Sequence, residues 1–346
     1  MSAMLLPFVM INVVKNDEKA FDLFYKSVIL SIFVASAYSI YLTTMPGVNP
    51  YLIATLPLSG REFNEAYSLA EGGGRIFGRI SGVFIHPMTN GLFLSLSLIF
   101  VLYQISIKSV AQNKLNFVLN AALFVLIFLA LLVIGIRTAI VSIGAGFFVY
   151  MFLEKNFKSA IVGISVIGVT FLIVQSIPEL ADYFGSIIDK DSSNITGSSI
   201  GQRLSQLNGA FDAIRDNILF GNGYGWTTFY EITRGSHPIM LSFESLFLVI
   251  ICNNGLVGVA LWMIMFIMYY FTARYRRMHK HSSFLLTLFS VYIIYAIVTG
   301  EYGYMKYFLI FYSLMWMQGR YTRQINQAPN IIYKNNFSMN RSQAVN

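Results

Sequence analysis

The sequence predicts an all-α protein: a polytopic transmembrane helical bundle of roughly eight to ten spans, with a large external loop containing an amphipathic helix. Composition, hydropathy pattern and charge asymmetry lead there. The chain has 346 residues, 56% hydrophobic and 12% charged, where an average soluble domain carries roughly 25% charged residues. Mean hydropathy is +0.62. These values exclude an ordinary soluble enzyme, and they exclude disorder, which needs low hydrophobicity and high charge. Aromatic residues make up 16% of the chain, which suits interfacial belts of Tyr and Trp. Cys252 stands alone, so neither a disulfide framework nor a cysteine zinc site is available. The net charge of +8 is not a nucleic-acid signal here; the question is which side of a membrane the cations occupy.

Apolar runs fall at about 27–45, 91–107, 115–135, 139–153, 160–177, 246–271, 284–300 and 304–319. The run 139–153 is short, and Lys306 interrupts the last. Met1–Val14 is also apolar but too short to span; it reads as half of a span or as an interfacial segment. It lacks the basic start and small-residue cleavage site of a signal peptide. Two long loops stand out, at about 46–90 and about 178–243, and 321–346 reads as a polar, flexible cytoplasmic tail. The chain is expected to be a single integral membrane domain, 1–346.

Lys and Arg between spans orient the bundle. With the first long loop outside, fifteen cations fall on the inner side, in short loops, and eight on the outer side. Seven of the outer eight are Arg, whose planar fork suits phosphate and carboxylate. The second long loop and the break at Gly135-Ile136-Arg137 also fall outside. For each Arg alone, a surface ion pair is an equal reading; for the group, anion recognition at the outer leaflet is the better one.

Three constellations carry chemistry. Arg137 sits between two apolar runs, either snorkelling to the interface or facing a cavity with a charged partner. In the segment 201–230, Leu204, Leu207, Ala210, Phe211 and Ile214 form a helical stripe, with Arg203 near its start. Gly221-Asn222-Gly223-Tyr224-Gly225 then closes it, as a plain turn or as one whose backbone N–H groups point at an anion. Glu244 and Ser245 mark re-entry into the membrane, and Asn253, Asn254 and Gly255 interrupt the next run; the Asn pair is expected to face the bundle. Asp189 and Asp191 read as a solvated loop, and His279 and His281 as part of an inner basic loop.

Four pieces, in order, resemble the O-antigen ligase and polymerase superfamily, which transfers glycans from undecaprenyl diphosphate. Gly82-Val83-Phe84 with His86-Pro87 and Asn90 resembles the family's G-x-F-x-x-P-N stretch. Ile136-Arg137-Thr138 resembles a Ser-Arg-Thr that opens a central span. Arg203 to Gly225 resembles the outer-loop Arg, amphipathic helix and closing L-F-G-x-G-x-G. Glu244-Ser245, then nine intervening residues, then Gly255-Leu256-Val257-Gly258 has the spacing of the ligases' H-[NSQ]-x9-G-x-x-G. The resemblance covers about 75–265. It departs at Glu244, where ligases have His; His237 is out of register. Polymerases often carry an acidic residue there. Leu207 stands where Trp is common, Ile136 replaces Ser, and members usually have further N-terminal spans.

The resemblance implies a bacterial inner-membrane glycosyltransferase that polymerises undecaprenyl-diphosphate-linked repeat units into O-antigen or capsule. The implied catalytic residues are Glu244 as general base and Arg137 and Arg203 on the diphosphate. Arg75, Arg79, Arg215, His86, Gly221 and Gly223 are implied on the substrate side. No metal or cofactor is expected, since arginines supply the charge. Implied partners are the lipid-linked glycan, the membrane, a flippase and a chain-length regulator; nucleic acid is not expected. The rivals are a ligase onto lipid A-core, a transporter or flippase of lipid-linked oligosaccharide, and a structural subunit. No inverted repeat is visible for a transporter.

Overall fold

A computed structural model describes residues 12, 17–45, 49–55, 79–107, 114–154, 168, 200–240, 243, 245–274, 279–300 and 302–319. Among these the protein is an all-α helical bundle. Its helices are α1 Glu18–Tyr41, α2 Pro50–Thr55, α3 Pro87–Ile107, α4 Lys114–Val133, α5 Arg137–Glu154, α6 Ile200–Ala213, α7 Trp226–Arg234, α8 Leu246–Arg274, α9 His279–Val298 and α10, residues 305–319. Among the described residues six helices are long and apolar enough to cross a membrane: α1, α3, α4, α5, α8 and α9. That is fewer than eight to ten. The apolar run 160–177 lies outside the described residues apart from Gly168, and α10 is short and carries Lys306 near its start.

Local chemistry explains the boundaries. Asp17 caps α1, its carboxylate accepting from the N–H groups of Lys19 at 2.9 Å and Ala20 at 3.1 Å. Pro87 opens α3 at the position where a missing N–H is harmless. Gly135, at φ +65°, ends the run that began with α4 and lets α5 start at Arg137.

The core centres on α3, which is buried along most of its length and touches α1, α4, α5 and α9. Phe93 and Phe100 pack against Phe311 of α10, and Phe93 also meets Tyr307. Gly146 lies hard against Val291, so α5 and α9 approach closely where a small residue permits it. At one end of the bundle, Tyr103 Oη pairs with His281 Nδ1 at 2.5 Å and Gln104 pairs reciprocally with Gln318. His281 is therefore a buried helix residue and not part of a basic loop, because the polar ring finds a hydroxyl partner inside the bundle.

Helix α8 is broken. Gly255 has φ +60° and ψ −156°, which no helix contains. Below the break, α8 and α9 run antiparallel: Ser282 Oγ donates to Ala273 O at 2.8 Å, and Phe266 meets Tyr292. Were α8 straight, Ser245 would stand well beyond the end of α9. Instead Ser245 Oγ donates to Ile297 O at 2.7 Å, and Tyr302 Oη donates to Asn254 Oδ1 at 3.0 Å. Residues 246–254 thus fold across the end of α9.

Candidate active site

The non-helical break in α8 is filled by the glycine turn. Asn222 N donates to Cys252 O at 2.9 Å and Gly223 N to Asn253 O at 3.0 Å. In return, Leu256 N donates to Ile218 O and Val257 N to Leu219 O, both at 3.0 Å. The backbones nearly touch: a Cβ on Gly221 would meet Gly255 N at 2.6 Å, and one on Gly255 would meet Gly221 N at 2.5 Å. The helix carbonyls and amides orphaned by the break are satisfied by the turn. Gly221 N itself donates to Asn217 O at 2.7 Å. The N–H groups of Gly221 and Gly223 are therefore already engaged and are not free to bind an anion; Gly221 is packed hard against the break, whereas a Cβ on Gly223 would meet nothing within 4 Å.

Asn253 is buried in this joint. Its Oδ1 accepts from Thr227 N at 3.0 Å, capping α7 where Gly225 has no side chain to do so. Asn222 Nδ2 donates to Ala213 O at 3.0 Å and ties down the end of α6. So Asn253 faces the loop helices, while Asn254 turns to Tyr302.

Helix α6 does not bury the stripe read from the sequence. Ala210 and Ile214 are buried, with Gln206 and Gly209 beside them, but Leu204, Leu207 and Phe211 are exposed. The packed face meets Ile239, Met240, Phe243 and the 248–252 part of α8. Small residues let the backbones approach, so the larger apolar side chains lie on the outer flank.

Arg137 is half-buried and opens α5, where the helix dipole is already positive. A guanidinium added to that end makes an anion-attracting pole. A line of contacts connects it to the re-entry point. Gly91 sits where a Cβ would be 3.1 Å from Ile136 Cγ2 and 2.9 Å from Tyr295 Oη. Tyr295 Oη donates to Met88 O at 2.6 Å, and two residues on, Ile297 O holds Ser245. The chain neighbours of Arg137 and Glu244 thus share one end of the bundle.

Arg203 is half-buried on α6, and its Nη1 donates to Gln206 Oε1 at 3.0 Å. Gln206 is fully buried, yet its Nε2 has no hydrogen-bond partner among the described residues. Sequence reasoning missed Gln206; the signal was an Arg-x-x-Gln spacing, which places both on one helix face. It also missed Phe243, a buried aromatic at φ +47°. A bulky residue in that region is strained by about 1–3 kcal/mol, and three rings hold it there: Trp226, Tyr230 and His237. Phe243 immediately precedes Glu244.

Of the other expected site residues, Arg79 is half-buried, Arg215 is exposed in the 3-10 turn Arg215–Asn217, and His86 is exposed just before α3. His86 O accepts from Thr89 N and Asn90 N. Asn90 is buried and donates to Ser39 Oγ at 2.9 Å and Ile80 O at 3.2 Å, fastening the 79–86 stretch to α1. Glu244, Arg75 and the Asp189 and Asp191 pair lie outside the described residues.

Residues 122–263 match the family model described as O-antigen ligase. The match spans about two-fifths of the chain, and over it the chain is similar to that family. The matched stretch contains Arg137, Arg203, the glycine turn, Glu244 and the break at Gly255. No curated relative matches the chain. The six apolar helices of spanning length among the described residues make it a multi-pass membrane protein, and the similarity to that family is consistent with the bacterial inner membrane.

The His237 ring gives this loop a pH response. Its Nδ1 accepts from Ile239 N and Met240 N, both at 3.2 Å, which requires that nitrogen unprotonated. Burial lowers its pKa from the ordinary 6.5. With the folded value below the unfolded one, the stabilisation is whole above 6.5 and is lost as pH falls through the folded value. Protection factors against hydrogen exchange in residues 226–240 should therefore fall as the pH drops below 6.5, and His237→Asn should flatten that response.

Proposed function

We propose that the protein polymerises undecaprenyl-diphosphate-linked oligosaccharide repeats into surface polysaccharide at the outer face of the inner membrane. The loop 178–243, with α6 and α7, faces outward in this reading, as the Lys and Arg distribution favours. An acceptor sugar hydroxyl attacks the anomeric carbon of the donor glycan. The carbon–oxygen bond to the diphosphate breaks, the diphosphate leaves with the electron pair, and the hydroxyl proton passes to the Glu244 carboxylate. Arg137 and Arg203 stabilise the charge growing on the diphosphate, with Gln206 Nε2 as a further donor. Arg75, Arg79, Arg215 and His86 contact the donor or an acidic glycan. No step uses a metal or cofactor.

The observation that carries this reading is the shared end of Ile136–Arg137 and Ser245, with the strained Phe243 beside Glu244. Strain of that kind clusters at functional sites. The description of the matched family favours a second reading, transfer of the finished glycan to lipid A-core by a ligase. Glu244 in the place of the ligases' His favours the polymerase. A flippase and a chain-length regulator are the partners such a polymerase would need.

Gene deletion followed by sizing of surface and lipid-linked glycans separates the readings. Single repeat units on the surface with the long ladder gone support the polymerase. An unmodified core with long chains still on undecaprenyl diphosphate supports the ligase. Single lipid-linked units held at the inner face support a transporter and leave Glu244 without its role. Arg137→Lys and Arg203→Lys should each lower polymer yield by about 10²-fold or more, because Lys keeps the charge and loses the fork. Full activity in both would remove the arginine clamp from the mechanism.

A further inference from the structure

The turn that fills the break in α8 carries apolar side chains that the protein leaves uncovered. Phe220 is 71% exposed, and Ile218 and Leu219 are exposed beside it. On α7, Trp226, Thr227 and Tyr230 face the packed side, while Phe229 at 65% and Ile232 at 69% exposure form a second apolar edge on the other side. Such clusters outside the spans of a membrane protein need an occupant.

Two observations name it. First, Ile218 and Leu219 are bonded by their carbonyls to Leu256 and Val257. Leu256 and Val257 are themselves exposed, and the exposed row continues down α8 through Leu261, Ile264 and Met268. The patch therefore prolongs the lipid-facing flank of a spanning helix without interruption. Second, Gly255 to Arg274 is about 20 residues, rising about 30 Å, which is the thickness of a hydrocarbon core. With Arg274 at one boundary, the break and the turn bonded to it lie at the opposite boundary.

We propose that the 218–232 segment is seated in the membrane, with Phe220 and Phe229 inserted among the acyl chains of the leaflet that meets it. Arg215 and Arg234, both exposed, flank the segment at headgroup level, the arrangement of an interfacial anchor. The same contact presses the turn into the α8 break from the lipid side. A lipid-seated patch is independent of which glycan reaction the protein performs.

The test uses the full chain in nanodiscs of phosphatidylethanolamine and phosphatidylglycerol. Phe220→Cys, Phe229→Cys and, as a control, Ser236→Cys are labelled with an environment-sensitive nitrobenzoxadiazole; Cys252 is buried and stays in place. Unsubstituted protein measures any labelling there. Labels at 220 and 229 should emit to the blue and lose about two-fold or more in brominated lipid, because an interfacial segment lies about 5–10 Å into the acyl boundary. The label at 236 should respond to aqueous iodide instead. Iodide quenching at all three positions overturns the proposal. Blue emission insensitive to both quenchers also overturns it, since the cover is then protein, from this chain or a second copy. Should labelling disturb the fold, benzoylphenylalanine at 220 keeps the aromatic side chain; a phospholipid mass adduct supports the proposal, and a protein crosslink counts against it.

Discussion

Replacing Glu244 by Gln is expected to lower polymer formation by about 10²–10⁴-fold, the usual worth of a positioned general base. The amide has nearly the size of the carboxylate, so packing is preserved and only proton acceptance is lost. Membrane abundance should stay normal, because neighbouring Ser245 is held by Ile297 O and Phe243 by its ring cluster, and neither contact involves the carboxylate. The measurement is the size ladder of surface glycan in a deletion strain carrying the variant at matched protein level. A full ladder would exclude Glu244 as the base and leave the acceptor to be activated elsewhere. A short ladder with normal protein level would leave the assignment standing.

Gly255→Ala should be nearly as damaging for a different reason. The backbone there is at φ +60°, ψ −156°, a region essentially restricted to glycine and costing about 1–3 kcal/mol for other residues. The added Cβ would also fall 2.6 Å from both Ile218 O and Leu219 O and 2.5 Å from Gly221 N. All are backbone atoms, so no side chain can swing away. The turn must lift from the break, and the four backbone hydrogen bonds between turn and helix are lost, at about 1 kcal/mol each. Asn253 would then lose Thr227, and α7 its cap. Hydrogen exchange of 218–227 should quicken markedly, and polymer should fall with it. Gly223→Ala is the control. Its φ of +101° carries strain, but nothing lies within 4 Å of the new Cβ, so its effect should be clearly smaller. Equal effects would mean that backbone strain, and not the close approach, governs the joint.

The reach of sequence reasoning differed from element to element. The runs that became α3, α4, α8 and α9 were legible because a span must satisfy its own backbone and present apolar side chains for a fixed length. The break at Gly135-Ile136-Arg137 was legible because glycine and a cation interrupt an apolar run. Arg137 and Arg203 were legible as candidates through residue type and side of the membrane. What the stripe on α6 faces was not: Leu204, Leu207, Ala210, Phe211 and Ile214 read as one amphipathic stripe, yet only Ala210 and Ile214 of it are buried, with Gln206 and Gly209 beside them. Hydrophobic periodicity finds an amphipathic helix but does not say whether its apolar face meets protein or lipid. His281 was misread for the converse reason, since its partner Tyr103 is 178 positions away.

The sequence by itself determined that this is a multi-pass helical membrane protein and carried the resemblance to the O-antigen ligase and polymerase superfamily, because length, apolarity and local spacing are one-dimensional properties. It also marked Gly221–Gly225 and Asn253–Gly255 as interruptions. Only the tertiary structure decided that these two interruptions are halves of one joint, each satisfying the other's orphaned backbone groups. Pairing between segments some thirty residues apart depends on where two chain breaks meet in space, and neither glycine pattern encodes its partner.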